Sequence, residues 1–206
     1  MPNQINASDI NVKSFKIHSA TKAFNLVKPF TELVIYENLF QSSLRADLTI
    51  LDSHNYAYKL PIVGEETIEV DISLTGFDDE TTSVKPPVFH VNAIRDREFT
   101  KPKSQLLSLE LVSEQYMSSI HSKVSKAYRD KTISEIVKDI HDTYLDDGVK
   151  PFTVESTDRI ERCVIPNLNP IDAITWLSKR AISTESSIVN YLFYETIAGA
   201  YFVNLN

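Results

Sequence analysis

Between Glu66 and Thr75 apolar and polar residues alternate almost without a break. Ile68, Val70, Ile72 and Leu74 share one parity; Thr67, Glu69, Asp71, Ser73 and Thr75 share the other. A period of two suits an extended strand with one face in a core and one in water, and does not suit a helix, whose faces recur every 3.6 residues. The same alternation returns at Leu44, Ala46, Leu48 and Ile50 against Arg45, Asp47 and Thr49, and at Leu107, Leu109 and Leu111 against Ser108 and Glu110. Phe15 to Ser19, Glu32 to Phe40 and Val88 to Phe99 are further candidates, so about six strands are expected in roughly the first 115 residues. No helical pattern separates them. Successive strands with unprotected edges favour closure, which predicts a small antiparallel β-barrel. The segment Phe77 to Pro87, carrying Asp78, Asp79 and Glu80 and ending on Pro86-Pro87, is expected to be a long hairpin loop open to a neighbour.

The pattern then changes. Thr132 and Glu135 stand at capping-box spacing, and Ile133, Ile136, Val137, Ile140, Tyr144 and Leu145 follow at helical spacing until Asp146-Asp147-Gly148. Asn169 is placed to cap a second helix with Pro170 in its first position, where a missing N–H costs nothing; Ile171, Ile174, Leu177 and Ala181 line one side, with Trp176 beside them. Phe152 to Glu155 and Arg159 to Ile165 are short strand candidates, and the stretch from Ser187 reads as a hairpin about Ala198-Gly199. The expectation is an α+β, β-rich chain: a barrel domain over residues 1–118, then an α+β domain over 119–206 with helices near 132–145 and 169–182. The chain ends in strand-like sequence, which points to truncation at the C-terminus.

Composition narrows the function. An apolar share of 42% supplies a core, while 28 acidic residues against 21 Lys and Arg leave a formal charge of −7. That sign opposes a protein that coats nucleic acid, because phosphates call for a basic field. The single cysteine, Cys163, excludes an intrachain disulfide and a cysteine zinc cluster, and fits synthesis in a reducing cytosol. The N-terminal residues lack a signal-peptide pattern, and no apolar run approaches the roughly 18 residues of a membrane span. The 4 glycines, Gly64, Gly76, Gly148 and Gly199, lie too far apart for a phosphate-binding loop. His18, His54, His90, His121 and His141 never fall at i, i+4, so no helical metal pair is expected; His141 reads as a surface cation at a helix end. Cys163, followed by Val164 and Ile165, reads as a small buried residue in a strand. Carboxylate pairs such as Glu65 with Asp71, or Glu155 with Asp158, are what a glycosidase would need, but a chain this acidic produces many by chance. No cofactor and no catalysis are expected. Tyrosines and phenylalanines in this number suit either a β core or interfaces between proteins.

Two separated stretches resemble one family. The run from Glu32 to Ile72 is similar to the opening, tail-tube-like barrel of baseplate hub proteins of tailed bacteriophages, the T4-like gene product 27 type. Ala46, Leu48, Ile50 and Asp52 stand in one strand of that pattern; Pro61, Ile62, Gly64, Glu65, Ile68 and Val70 stand in the next. Downstream, the TISEIVKDI helix precedes Ile165, Pro166, Pro170, Asp172, Ala173, Ile174, Trp176, Leu177, Arg180 and Ala181, again in the order and spacing of those hubs. The resemblance implies a structural, non-catalytic virion protein at the tail baseplate, made in the host cytoplasm: a homotrimer whose barrels form a pseudo-sixfold ring joining the tail tube to the central spike. Its partners would be further copies of itself, the tail-tube protein, the spike and other baseplate proteins, with DNA only passing through an acidic lumen and no membrane insertion. The alternatives are a tail-associated cell-wall hydrolase and another tail-tube or baseplate adaptor on the same barrel.

Overall fold

A computed structural model describes residues 10–19, 22–53, 64, 66–74, 83–84, 86–101, 104–185 and 189–205. They form two compact units. The first takes the described residues up to Ile35 together with Arg45–Val112; the second takes Tyr36–Leu44 and Ser113 onward. Residues 36–44 and 113–118, expected with the barrel, thus belong with the second unit.

The first unit is one antiparallel sheet built from β1 (Ile10–His18), β2 (Ala23–Asn25), β3 (Phe30–Tyr36), β4 (Arg45–Asp52), β5 (Thr67–Leu74), β6 (Ser83–Val84), β7 (Phe89–Lys101) and β8 (Ser104–Ser113). Its order is β2-β1-β5-β7-β8-β4-β3, with β6 paired to β5. The two ends of that path are consecutive in the chain, joined only by Leu26 to Pro29. Such a link spans at most about 17 Å, whereas seven strands laid flat are about 29 Å across. The sheet must therefore curl until β2 and β3 approach, and curling is what makes it a barrel. The Leu51 N–H donating to the Pro29 carbonyl at 2.8 Å, and the Leu26 N–H donating to that of Phe15 at 2.7 Å, hold the short link at both ends.

Inside the curl lie Phe15 and Ile17 from β1, Ala46, Leu48 and Ile50 from β4, Ile68 and Val70 from β5, Phe89 and Val91 from β7, and Leu107, Leu109 and Leu111 from β8; Ile72, expected on the face of Ile68 and Val70, is only half-buried. Burial of each large aliphatic or aromatic side chain contributes about 1.5–3 kcal/mol. β4 and β8 pair without a bulge from Arg45↔Val112 to Asp52↔Gln105, so a one-residue slip would put the apolar row of one of the two strands on the outer face. Six of these strands are the ones expected from the alternation; β2 and β6 are too short to show a period. β6 lies within the expected loop Phe77 to Pro87, which is therefore not a simple hairpin loop.

The second unit contains α1 (Glu114–Ile120), β9 (Val124–Thr132), α2 (Ile133–Tyr144), β10 (Phe152–Val154), β11 (Ile160–Leu168), α3 (Pro170–Ser178), β12 (Tyr191–Glu195) and β13 (Ala200–Asn204). β9 and β11 form a two-stranded antiparallel ribbon, and β10-β13-β12 a three-stranded sheet. Ile136, Val137 and Ile140 of α2, Ala173, Ile174 and Leu177 of α3, and Tyr191, Phe193, Ala200 and Phe202 of the small sheet make one core. The predicted capping box is present: Glu135 N–H donates to Thr132 Oγ1 at 3.3 Å, and Thr132 N–H to Glu135 Oε2 at 2.8 Å.

Three details depart from expectation. Among the described residues the mixed region has three helices rather than two; α1 buries polar Gln115 and Ser119 and so carries no apolar stripe. β9 was missed because register shifts opposite Glu161/Cys163 and Pro166/Leu168 leave only Val124 and Tyr128 buried in it. Asn169 occupies the cap of α3 without a side-chain bond to the helix, and its Oδ1 is buried without a hydrogen-bond partner.

Candidate functional site

The second unit converges on one charge. Tyr191, Phe193 and Glu195 share the inward parity of β12, so the alternation that buries two aromatic rings also carries a carboxylate inside. The side chain of Glu195 has no exposed surface, and that of Lys150, which donates to its Oε1, is 5% exposed. The other oxygen accepts from the Leu44 N–H at 2.8 Å and from Ser113 Oγ at 2.5 Å. Three segments far apart in sequence are thus tied to one carboxylate. Nearby in the chain, Glu37 Oε1 accepts from the Ile197 N–H at 2.7 Å, fixing residues 36–44 a second time. In the sequence Glu195 is legible only as a strand residue, and its one signal is a charge at the third inward position of β12.

A second group joins the ribbon to α2. Asp139 Oδ2 accepts from Lys126 Nζ and from the Tyr128 hydroxyl, each at 2.7 Å. These bonds hold the Asp139 carboxyl below the usual range, the Lys126 bond first and the Tyr128 bond second. Burial, then the same hydrogen bond and the Asp139 charge, push the Tyr128 phenol up. His141 is not the surface cation expected. It is 1% exposed and stacked on Phe152 at 3.8 Å between ring centroids, and burial pushes its pKa down despite Asp142 beside it.

The family-pattern residues divide. Asp52 is buried at the end of β4, where it accepts from Gln105 Nε2 at 3.0 Å across the β4–β8 pair. Gly64 has φ +94, a conformation only glycine adopts freely, and its N–H donates to Glu66 Oε2 at 3.0 Å. The carboxylate of Glu66, which accepts this bond, is fully buried. Pro61, Glu65, Asp78, Asp79 and Glu80 lie outside the described residues. Pro166 is exposed in β11, just before Asn167 at φ +56; Pro170 is buried at the start of α3, and Asp172 is exposed in its first turn. Arg180 donates to Glu161 Oε2 at 3.1 Å and lies 5.1 Å from the centre of the Trp176 ring, clamping the end of α3 to the ribbon.

Cys163 is partly exposed in β11, its thiol pushed up by burial first. Among the described residues no three metal-ligating side chains cluster, and no helix is long and apolar enough to cross a membrane. A shallow cleft is lined by Ser134, Glu135, Lys138, Phe152, Val154 and Ser156. Its carboxylate, Glu135, is held below the usual range by the Thr132 bonds, the reverse of what a general acid requires.

Known structures share this fold. The chain is similar to a 43 kDa tail protein of prophage MuSo2 from Shewanella oneidensis, with a TM-score of 0.59 and 14% identity over 94% of this chain and 54% of that one. It is similar to a tail protein from Neisseria meningitidis MC58, with a TM-score of 0.54 and 12% identity over 92% of this chain and 49% of that one. A chain of the half-lidded Francisella PdpA-VgrG complex matches with a TM-score of 0.50 and 10% identity, over 94% of this chain and 30% of that one. This chain therefore spans about half the length, or less, of these structures. No protein-family pattern and no curated protein matches its sequence. The β-rich α+β fold is that of these tail proteins.

Proposed function

We propose that this chain is a structural subunit of a phage-type tail baseplate: a hub that joins the tail tube to the central spike as a trimeric, pseudo-sixfold adaptor and catalyses nothing. The single observation that carries the reading is the fold, shared over nearly the whole chain with the two tail proteins. In support, the buried charges tie segments together: Glu195 anchors residues 36–44, Ser113 and Lys150, and Arg180 clamps α3 to the ribbon.

On this reading the partners are further copies of the chain, the tail-tube protein, the spike and other baseplate proteins. The site of action is the virion tail, and DNA passes through the ring without being held. The loop containing Asp78, Asp79 and Glu80 faces a neighbour, and the family-pattern residues Asp52, Pro61, Gly64, Glu65, Pro166, Pro170, Asp172, Trp176 and Arg180 shape the subunit instead of binding a ligand.

The test is mass by light scattering across concentration, with negative-stain images of the same sample. Trimers with a central hole and a threefold or pseudo-sixfold outline are expected. Rings of six identical subunits would instead support a tube-type adaptor, and a compact monomer at every concentration would remove the hub reading.

A further inference from the structure

The second unit separates its charges. The β9–β11 ribbon, with the residue preceding each strand, carries Lys123, Lys126, Arg129, Lys131, Arg159 and Arg162 against Asp130 and Glu161, a surplus of four cations on a chain whose formal charge is −7. Contacts outside the ribbon leave the surplus intact, since Asp139 takes Lys126 while Arg180 takes Glu161. The outward parity of β11 is also apolar: Ile160 is 68% and Val164 63% exposed, and Arg162 between them has a side chain 77% exposed. The ribbon has only two strands, so each has an edge that no other described strand covers. Edges of this kind are open to pairing with another chain.

The complement lies on the same unit. Asp142, Asp146 and Asp147 follow one another with no intervening cation at the C-terminal end of α2, and Val149 beside them is 82% exposed. The next cation in the chain, Lys150, is turned inward to Glu195. Carboxylates at a helix C-terminus face the negative end of its dipole, so this placement works against the helix, although Asp146 accepts from the Gly148 amide and Asp147 from those of Val149 and Lys150.

We infer that the cationic, apolar β9–β11 ribbon of one copy docks on the acidic Asp142–Val149 segment of the next, a head-to-tail contact between identical chains. Two different patches of one surface, opposite in charge and each bearing exposed branched aliphatics, make a heterologous interface, the kind that closes into rings. Unlike charges steer and register the encounter, and the aliphatic contacts supply area. The inference rests on the hub reading for the existence of a ring and adds which surfaces make it.

Charge reversal tests it in the full chain. Arg129→Asp with Arg162→Asp reverses the ribbon, Asp142→Arg with Asp146→Arg reverses the acidic segment, and a fourth protein carries all four changes. Sedimentation of wild type and variants, each checked for a native circular dichroism spectrum, should show self-association weakened about tenfold or more in each double variant, with recovery in the fourfold one. A ring that persists in Arg129→Asp/Arg162→Asp, or a fourfold variant as dissociated as the doubles, would overturn the inference and leave the hub reading standing. A wild-type chain that never assembles would remove both.

Discussion

Lys150 and Glu195 form an ion pair with both side chains almost wholly out of water, and the carboxylate also binds the Leu44 amide and the Ser113 hydroxyl. Burying two charges is costly, so such a pair adds little net stability compared with apolar residues, but removing one partner leaves the other uncompensated. Lys150→Met or Glu195→Leu should each cost about 3–5 kcal/mol in urea unfolding, while the double replacement should cost much less than their sum. Additive losses would mean that the two charges do not depend on each other.

Tyr128 and Asp139 answer opposite ends of the pH scale. The lowered Asp139 carboxyl contributes stability above its unfolded-state pKa of about 3.9, and that contribution is lost as pH falls through the folded value. The raised Tyr128 phenol contributes below about 10 and loses its share as pH rises past that point. Tyr128→Phe should cost about 1 kcal/mol at neutral pH and flatten the alkaline limb of the urea midpoint against pH.

His141 supplies a third pH dependence. Burial lowers its folded pKa, so above about 6.5 the ring is neutral in both states and contributes no pH slope. Below that value the unfolded chain takes up a proton that the folded one resists, and stability falls. The urea midpoint should drop between pH 7.5 and pH 5.5, and His141→Gln should lose that part of the drop. An unchanged slope in His141→Gln would place the ring in water.

Gly199 is required by close approach, not by backbone angle. A Cβ there would stand 2.7 Å from the Pro151 carbonyl oxygen and 3.2 Å from Pro151 Cγ. Because the first is a backbone atom, β13 and the chain entering β10 would have to separate. Gly199→Ala should cost about 1–3 kcal/mol in thermal or urea unfolding, whereas Gly148→Ala meets no atom within 4 Å and strains only its φ of +67.

Ile68, Leu48 and Leu109 were legible as core because a strand writes its buried face into every second residue, wherever the partner strands come from. The helix starting at Thr132 and Pro170 at the start of α3 were legible for the same local reason: caps and apolar stripes act within a few residues. What passed unseen lacks a local period. α1 buries Gln115 and Ser119, β9 is broken by bulges, and His141 looked like a surface residue until Phe152 covered it. The sequence by itself determined the alternating β face, the helix starts and the absence of a phosphate loop. Only the tertiary structure decided that Leu44, Ser113, Lys150 and Glu195 meet. A buried charge is satisfied by groups more than a hundred residues away as readily as by neighbours, and nothing in local spacing records which they are.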